Sequence, residues 1–142
     1  VALSQATTIL AFETRGPGLT DITREVAGWV RGLGAGEGLL TLLCRHTSAS
    51  LTIQENADPD VRVDLAAAFE RLAPRGGREL YTHHMEGPDD MPAHIRTVLS
   101  GVHLSVPLIG GRLALGTWQG IYLWEHRDRP HRREVACHLS FE

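Results

Sequence analysis

From Val102 to Phe141 the chain is an almost unbroken succession of two-residue alternations, and no other feature restricts its fold as tightly. Val102, Leu104, Val106 and Leu108 alternate with His103 and Ser105, and Gly110-Gly111 is a two-residue hairpin signal ahead of Arg112 to Leu115. Trp118 to His126 reads as a long strand, with Gln119, Ile121, Leu123 and Glu125 on one side and Tyr122, Trp124 and His126 on the other. After a turn at 127–131, Arg133 to Phe141 places Val135, Cys137, Leu139 and Phe141 on one face. Such a tail has to be paired, because backbone donors and acceptors buried beside those apolar rows need partners.

The first hundred residues supply the helices. Residues 1–14 form an opening strand closed by Arg15-Gly16-Pro17-Gly18. From Thr20 or Asp21, Ile22, Val26, Trp29, Val30 and Leu33 fall at helical spacing, with Gly34 placed to stop the helix. Leu39 to His46 is a short buried strand in which Leu40, Leu42, Cys44 and His46 share a face, so His46 terminates an apolar row. Thr47 to Gln54 alternates Ala49, Leu51 and Ile53 with Ser48, Ser50, Thr52 and Gln54, a strand with one wet face. Asp58-Pro59-Asp60 supplies a cap, a prolyl first residue and acid for the helix dipole, ahead of Val61, Leu65, Ala68, Phe69 and Leu72. A third, short helix is expected from about Pro92 to Leu99. The sum is roughly seven strands and three helices, an α+β fold built as a β-rich sandwich of mixed or antiparallel strands with about three flanking helices, in one domain over 1–142.

Charge and composition remove several classes of function. The formal net charge is −3 and the arginines are scattered, so the basic stripe of a duplex-binding protein is missing and no nucleic-acid partner is expected. No apolar run approaches the roughly 20 residues that cross a bilayer. Two cysteines, both in strand-like segments and without a CxxC spacing, fit a reduced, cytoplasmic setting.

The chemistry concentrates in Tyr81 to Ile95, which holds three imidazoles and three carboxylates with no apolar run. Gly87-Pro88 breaks regular structure, and the acidic pair before Met91-Pro92 has the character of a helix start. His94 then falls in the first turn, where the dipole favours the neutral, metal-binding imidazole and where a phosphate can also be received. Glu86, Asp89 and Asp90 are candidate ligands or bases, with capping of the helix at Pro92 the simpler role for Asp90. His103, His131 and His138 are most simply solvated, whereas His46, His83, His84 and His94 lie at or beside the ends of elements. No zinc-finger or HExxH spacing is present, so spacing alone does not define a metal site. Glu125 shares a strand face with Ile121 and Leu123 and is costly there without a metal, an arginine or a histidine. Arg45 to Ser50 places a fixed cation among hydroxyls, a mixture suited to phosphate or carboxylate groups and equally an ordinary polar strand. Trp118 and Trp124 offer stacking surfaces, although large aromatics are more often core.

Three blocks make the sequence resemble a known family. Cys44-Arg45-His46-Thr47-Ser48-Ala49-Ser50-Leu51 runs on to Gln54-Glu55-Asn56-Ala57-Asp58-Pro59; Glu86-Gly87 runs through Asp89-Asp90-Met91-Pro92-Ala93-His94-Ile95; and Gly116-Thr117-Trp118-Gln119-Gly120-Ile121 is joined by Glu125-His126-Arg127. These resemble the YjbQ-like family, whose bacterial members are described as secondary thiamine-phosphate synthases. The resemblance implies a homotrimer with a histidine-lined site for a divalent metal, zinc by preference and magnesium with a pyrophosphate substrate. Carried over by position, the metal ligands fall on His46, His83 and His94, with His84 at a variable position. Glu125 orients one imidazole, and Arg45, Thr47, Ser48, Trp118 and Gln119 meet a small phosphorylated substrate. The implied reaction couples hydroxymethylpyrimidine pyrophosphate to thiazole phosphate with release of pyrophosphate. The alternatives are a metal-dependent hydrolase of a small phosphorylated or amide substrate and a non-catalytic trimeric module that binds a metal or an anion.

Overall fold

The computed structural model describes residues 2–142. The strands are β1 (Ser4–Glu13), β2 (Gly18–Asp21), β3 (Gly38–Cys44), β4 (Ala49–Glu55), β5 (His103–Ile109), β6 (Arg112–Leu113), β7 (Gln119–Glu125) and β8 (Arg132–Phe141). The helices are α1 (Thr23–Gly32), α2 (Pro59–Leu72) and α3 (Asp90–Ser100). A five-stranded sheet in the order β1-β8-β3-β5-β6 faces a three-stranded sheet in the order β2-β7-β4, and every pairing is antiparallel.

The alternation dictates which rows meet between the sheets. Leu40, Leu42 and Cys44 of β3, Val135, Cys137 and Leu139 of β8, and Val106 and Leu108 of β5 form the inner face of the larger sheet. Leu51, Ile121 and Leu123 oppose them, and Ile22, Val26 and Val30 join from the α1 segment. The other row of β7 is buried as well, because α2 lies over it. The Phe69 ring stacks on Trp124 at 4.3 Å and 7°, and the Arg62 guanidinium sits 4.9 Å above the Tyr122 ring. α2 begins as its sequence demands, with Asp58 accepting the Asp60 N–H at 2.9 Å and Pro59 in the first turn.

The structure departs from the sequence reading in four places. Among the described residues there are eight strands, since residues 18–21 pair with β7 where only a turn and a helix start are expected; α1 begins at Thr23, after Asp21 Oδ1 accepts both the Thr23 N–H and its hydroxyl. β3 stops at Cys44, so His46 lies in a loop and not on the strand's apolar row. Ser50 is fully buried instead of lining a wet face, its hydroxyl 2.8 Å from His126 Nε2. α3 begins two residues early, at Asp90.

Candidate metal centre

Gly87, at φ +109°, makes a turn that a side chain would strain, and it delivers the chain into α3. Asp89 occupies the cap position without capping through its side chain. Its Oδ2 accepts from Arg127 Nε and from the Asp128 N–H, both at 2.9 Å. Asp90 is the first helical residue, and its side chain is not a cap either, contrary to the sequence reading. Asp90 and His94 stand one helical turn apart on one face, and the preceding loop brings His83 to the same point.

His83 Nε2 lies 2.6 Å and His94 Nε2 3.1 Å from the same oxygen, Asp90 Oδ2. The two imidazole rings meet edge to face at 5.4 Å, and one ligand atom from each of the three residues falls within 4.8 Å of the others. The other carboxylate oxygen accepts from Arg127 Nη1 at 2.7 Å. Burial by itself raises the Asp90 carboxyl pKa, but the His83 hydrogen bond and the His94 and Arg127 charges overcome it and hold the group below the usual carboxylate range. Arg127 is held above its ordinary value, chiefly by its hydrogen bond to Asp89.

The His94 tautomer follows from its second contact. Its Nδ1 is 2.9 Å from the Thr47 carbonyl, which only accepts, so Nδ1 carries the proton. In the neutral imidazole the lone pair is therefore on Nε2, pointed at a carboxylate oxygen that is also an acceptor. A proton or a metal cation between them satisfies that contact. Two imidazole nitrogens and a carboxylate oxygen make a donor set suited to zinc, and a backbone carbonyl that fixes the outer nitrogen is the usual support for such a ligand.

The residues singled out from sequence divide into two groups. His83 and His94 enter the cluster, with Thr47 behind His94 through its backbone. His84 turns back to the Thr82 carbonyl at 3.0 Å. His46 lies outside the three-residue cluster: its Nε2 accepts the Glu134 N–H at 2.8 Å, a bond it has to surrender to ligate through that atom. Burial, with Arg133 nearby, lowers its pKa. Glu125 is buried as its strand row requires, and its partner is Arg133, not an imidazole of the cluster. Arg45 pairs with Glu134 at 3.2 Å. Ser48 accepts from Arg133 Nη2 at 3.0 Å. Trp118 is 63 % exposed, and Gln119 Oε1 accepts the Gly116 N–H at 2.7 Å, closing its own turn. Trp124 is core. Sequence reasoning gives Asp90 to a helix cap and Arg127 no role, and both belong to the site; the signal available was the Asp89-Asp90 pair, which needs a cation once buried.

The profile of the family described as UPF0047 protein YjbQ-like matches residues 8–142. A UPF0047 protein of Synechocystis is 53% identical over 134 residues, covering 94% of this chain and 90% of that one. UPF0047 protein YjbQ of Salmonella typhimurium is 46% identical, covering 97% and 98%. Among solved structures, a conserved hypothetical protein from Thermus thermophilus superposes with a TM-score of 0.79 at 39% identity, covering 92% of this chain and 97% of that one. A YbjQ-like protein of unknown function from Sulfolobus solfataricus reaches 0.89 at 20% identity, covering 99% and 100%, a likeness of fold.

Proposed function

The chain belongs to the UPF0047 YjbQ-like family, and from that premise we propose that it is a divalent-metal enzyme acting on a small phosphorylated molecule at the centre formed by His83, Asp90 and His94. The observation that carries this is the His94 Nε2 lone pair, fixed by the Thr47 carbonyl and aimed at an ionised carboxylate. Zinc is the cation favoured by the donor set, with magnesium the choice where a pyrophosphate is bound. When bound, the cation supplies a Lewis acid for phosphate oxygens and acidifies a coordinated water. The His83 hydrogen bond, with the His94 and Arg127 charges, keeps Asp90 ionised against its burial. The His83 and His94 side chains are 47% and 32% exposed, which leaves the centre open to a ligand from solvent.

The reaction we favour is of the thiamine-phosphate synthase type. The thiazole nitrogen forms a bond to the pyrimidine methylene carbon as the carbon–oxygen bond to pyrophosphate breaks, and the leaving group departs as an anion that a cationic site stabilises. The three-residue ligand set supports one other reading, a hydrolase, because three protein ligands leave a fourth position for water. The test is to incubate the metal-loaded protein with hydroxymethylpyrimidine pyrophosphate and thiazole phosphate, and in parallel with a panel of phosphate esters and amides. The expected result is thiamine phosphate and pyrophosphate in equal amounts, reduced at least about 100-fold in His83→Ala and His94→Ala. Hydrolysis of panel members without coupling selects the hydrolase. Metal binding with no turnover of any kind leaves a trimeric metal- or anion-binding module.

A further inference from the structure

Behind the cluster lies a carboxylate that the proposed chemistry does not use. Glu125 is 1% exposed at the end of β7, and five donors converge on it. Oε1 accepts from the Thr14 hydroxyl at 2.6 Å and Arg133 Nε at 2.8 Å. Oε2 accepts from Arg133 Nη2 and, at 3.1 Å each, from the His126 and Arg127 N–H groups. Burial raises its pKa, but Arg133, Thr14 and the backbone donors outweigh that and keep it ionised. A buried pair this fully hydrogen-bonded is rigid, and removing either member strands the other charge.

Two arms lead from this carboxylate to the cluster. Along the first, Arg133 Nη2 donates to the Ser48 carbonyl at 3.2 Å and the Ser48 hydroxyl at 3.0 Å. The preceding carbonyl, that of Thr47, is the one that holds His94 Nδ1 and also receives the Thr97 hydroxyl at 3.1 Å. Along the second, Glu125 fixes the Arg127 N–H, and the Arg127 guanidinium grips Asp89 and Asp90. We infer that Glu125 and Arg133 are positioning residues for the centre, holding His94 through the Thr47-Ser48 loop and Asp90 through Arg127. The inference rests on the reading of His83, Asp90 and His94 as a metal centre, and it assigns Ser48 to this brace, not to substrate.

The test separates the brace from the centre. In metal-free protein, long-range proton–nitrogen correlation spectra report the His94 tautomer directly. At a pH high enough to remove any proton shared between His94 Nε2 and Asp90, the expectation is one fixed form in the wild type, protonated at Nδ1, and a mixture in Arg133→Lys, whose ammonium lacks the fork that reaches Glu125 and Ser48 together. Competition with a chromogenic chelator is expected to show zinc held 10- to 100-fold more weakly by Arg133→Lys and Glu125→Gln, about the range for losing an outer support. Ser48→Ala deletes one contact without stranding a charge, and it carries the test if the buried variants fail to fold; its His94 signal is expected to shift in the same direction. Folded variants with an unchanged His94 tautomer and unchanged zinc affinity would overturn the inference. If the wild type binds no zinc while its fixed tautomer is lost in Arg133→Lys, the metal reading falls and the brace stands.

Discussion

His126 is the residue most altered by the fold. It is 2% exposed beside the stacked rings of Phe69 and Trp124, and burial, with the Arg96 charge acting in the same sense, pushes its pKa down to about 3. The folded protein therefore holds it neutral, while the unfolded chain takes up a proton below about pH 6.5. Because the unfolded state binds more protons between those values, stability falls as the pH falls, and His126 alone removes about 2 kcal/mol between pH 7 and pH 5. The depressed carboxylates Asp89, Asp90 and Glu125 act with the same sign but only below about pH 4.5, as the pH drops through their folded values. Urea unfolding at pH 7 and pH 5, with chelator present to remove any metal, checks this: His126→Gln is expected to lose about 2 kcal/mol less than wild type across that interval. Equal losses would show that His126 titrates normally in the folded state. Its burial was not legible in the sequence, because the alternation of β7 assigns one row to the core and gives no sign that α2 covers the other. Asp90 was misread for a related reason: an acid before a helical proline has the local chemistry of a cap, and only the fold shows that two imidazoles reach it first.

Among the elements, those announced by strong periodicity and by turn or cap residues are where the sequence puts them. β8 and α2 are examples; α2 in particular carries its own start signal in Asp58-Pro59-Asp60. β2 was missed because four residues between Gly18 and Asp21 are too few to show alternation, and their pairing with β7 is a tertiary choice. The outer face of the larger sheet leaves apolar side chains uncovered, with Ile9 50%, Leu39 46% and Leu43 45% exposed. A shallow groove there is lined by Thr7, Ile9, Thr41, Leu43, Ala136 and His138. An apolar sheet face of this kind gains by being covered.

At the scale of the molecule, two antiparallel sheets and three helices place the N-terminus of α3, the loop before it and the loop after β3 at one end of the sandwich. No described helix is long and apolar enough to cross a membrane. The α+β class was legible because alternation over forty residues leaves few other solutions. The centre was half legible: His83 and His94 were named, but their convergence on Asp90 depends on a loop, a helix start and the Arg127 clamp meeting in space, which spacing along the chain does not encode. The central claim is that these three side chains hold a divalent cation, and the most direct measurement is anomalous scattering at the zinc edge from crystals grown with zinc. The account predicts one strong peak within about 2.0–2.2 Å of His83 Nε2, His94 Nε2 and an Asp90 oxygen, absent from Asp90→Asn crystals. A zinc peak on other residues, or none at this cluster, would contradict it.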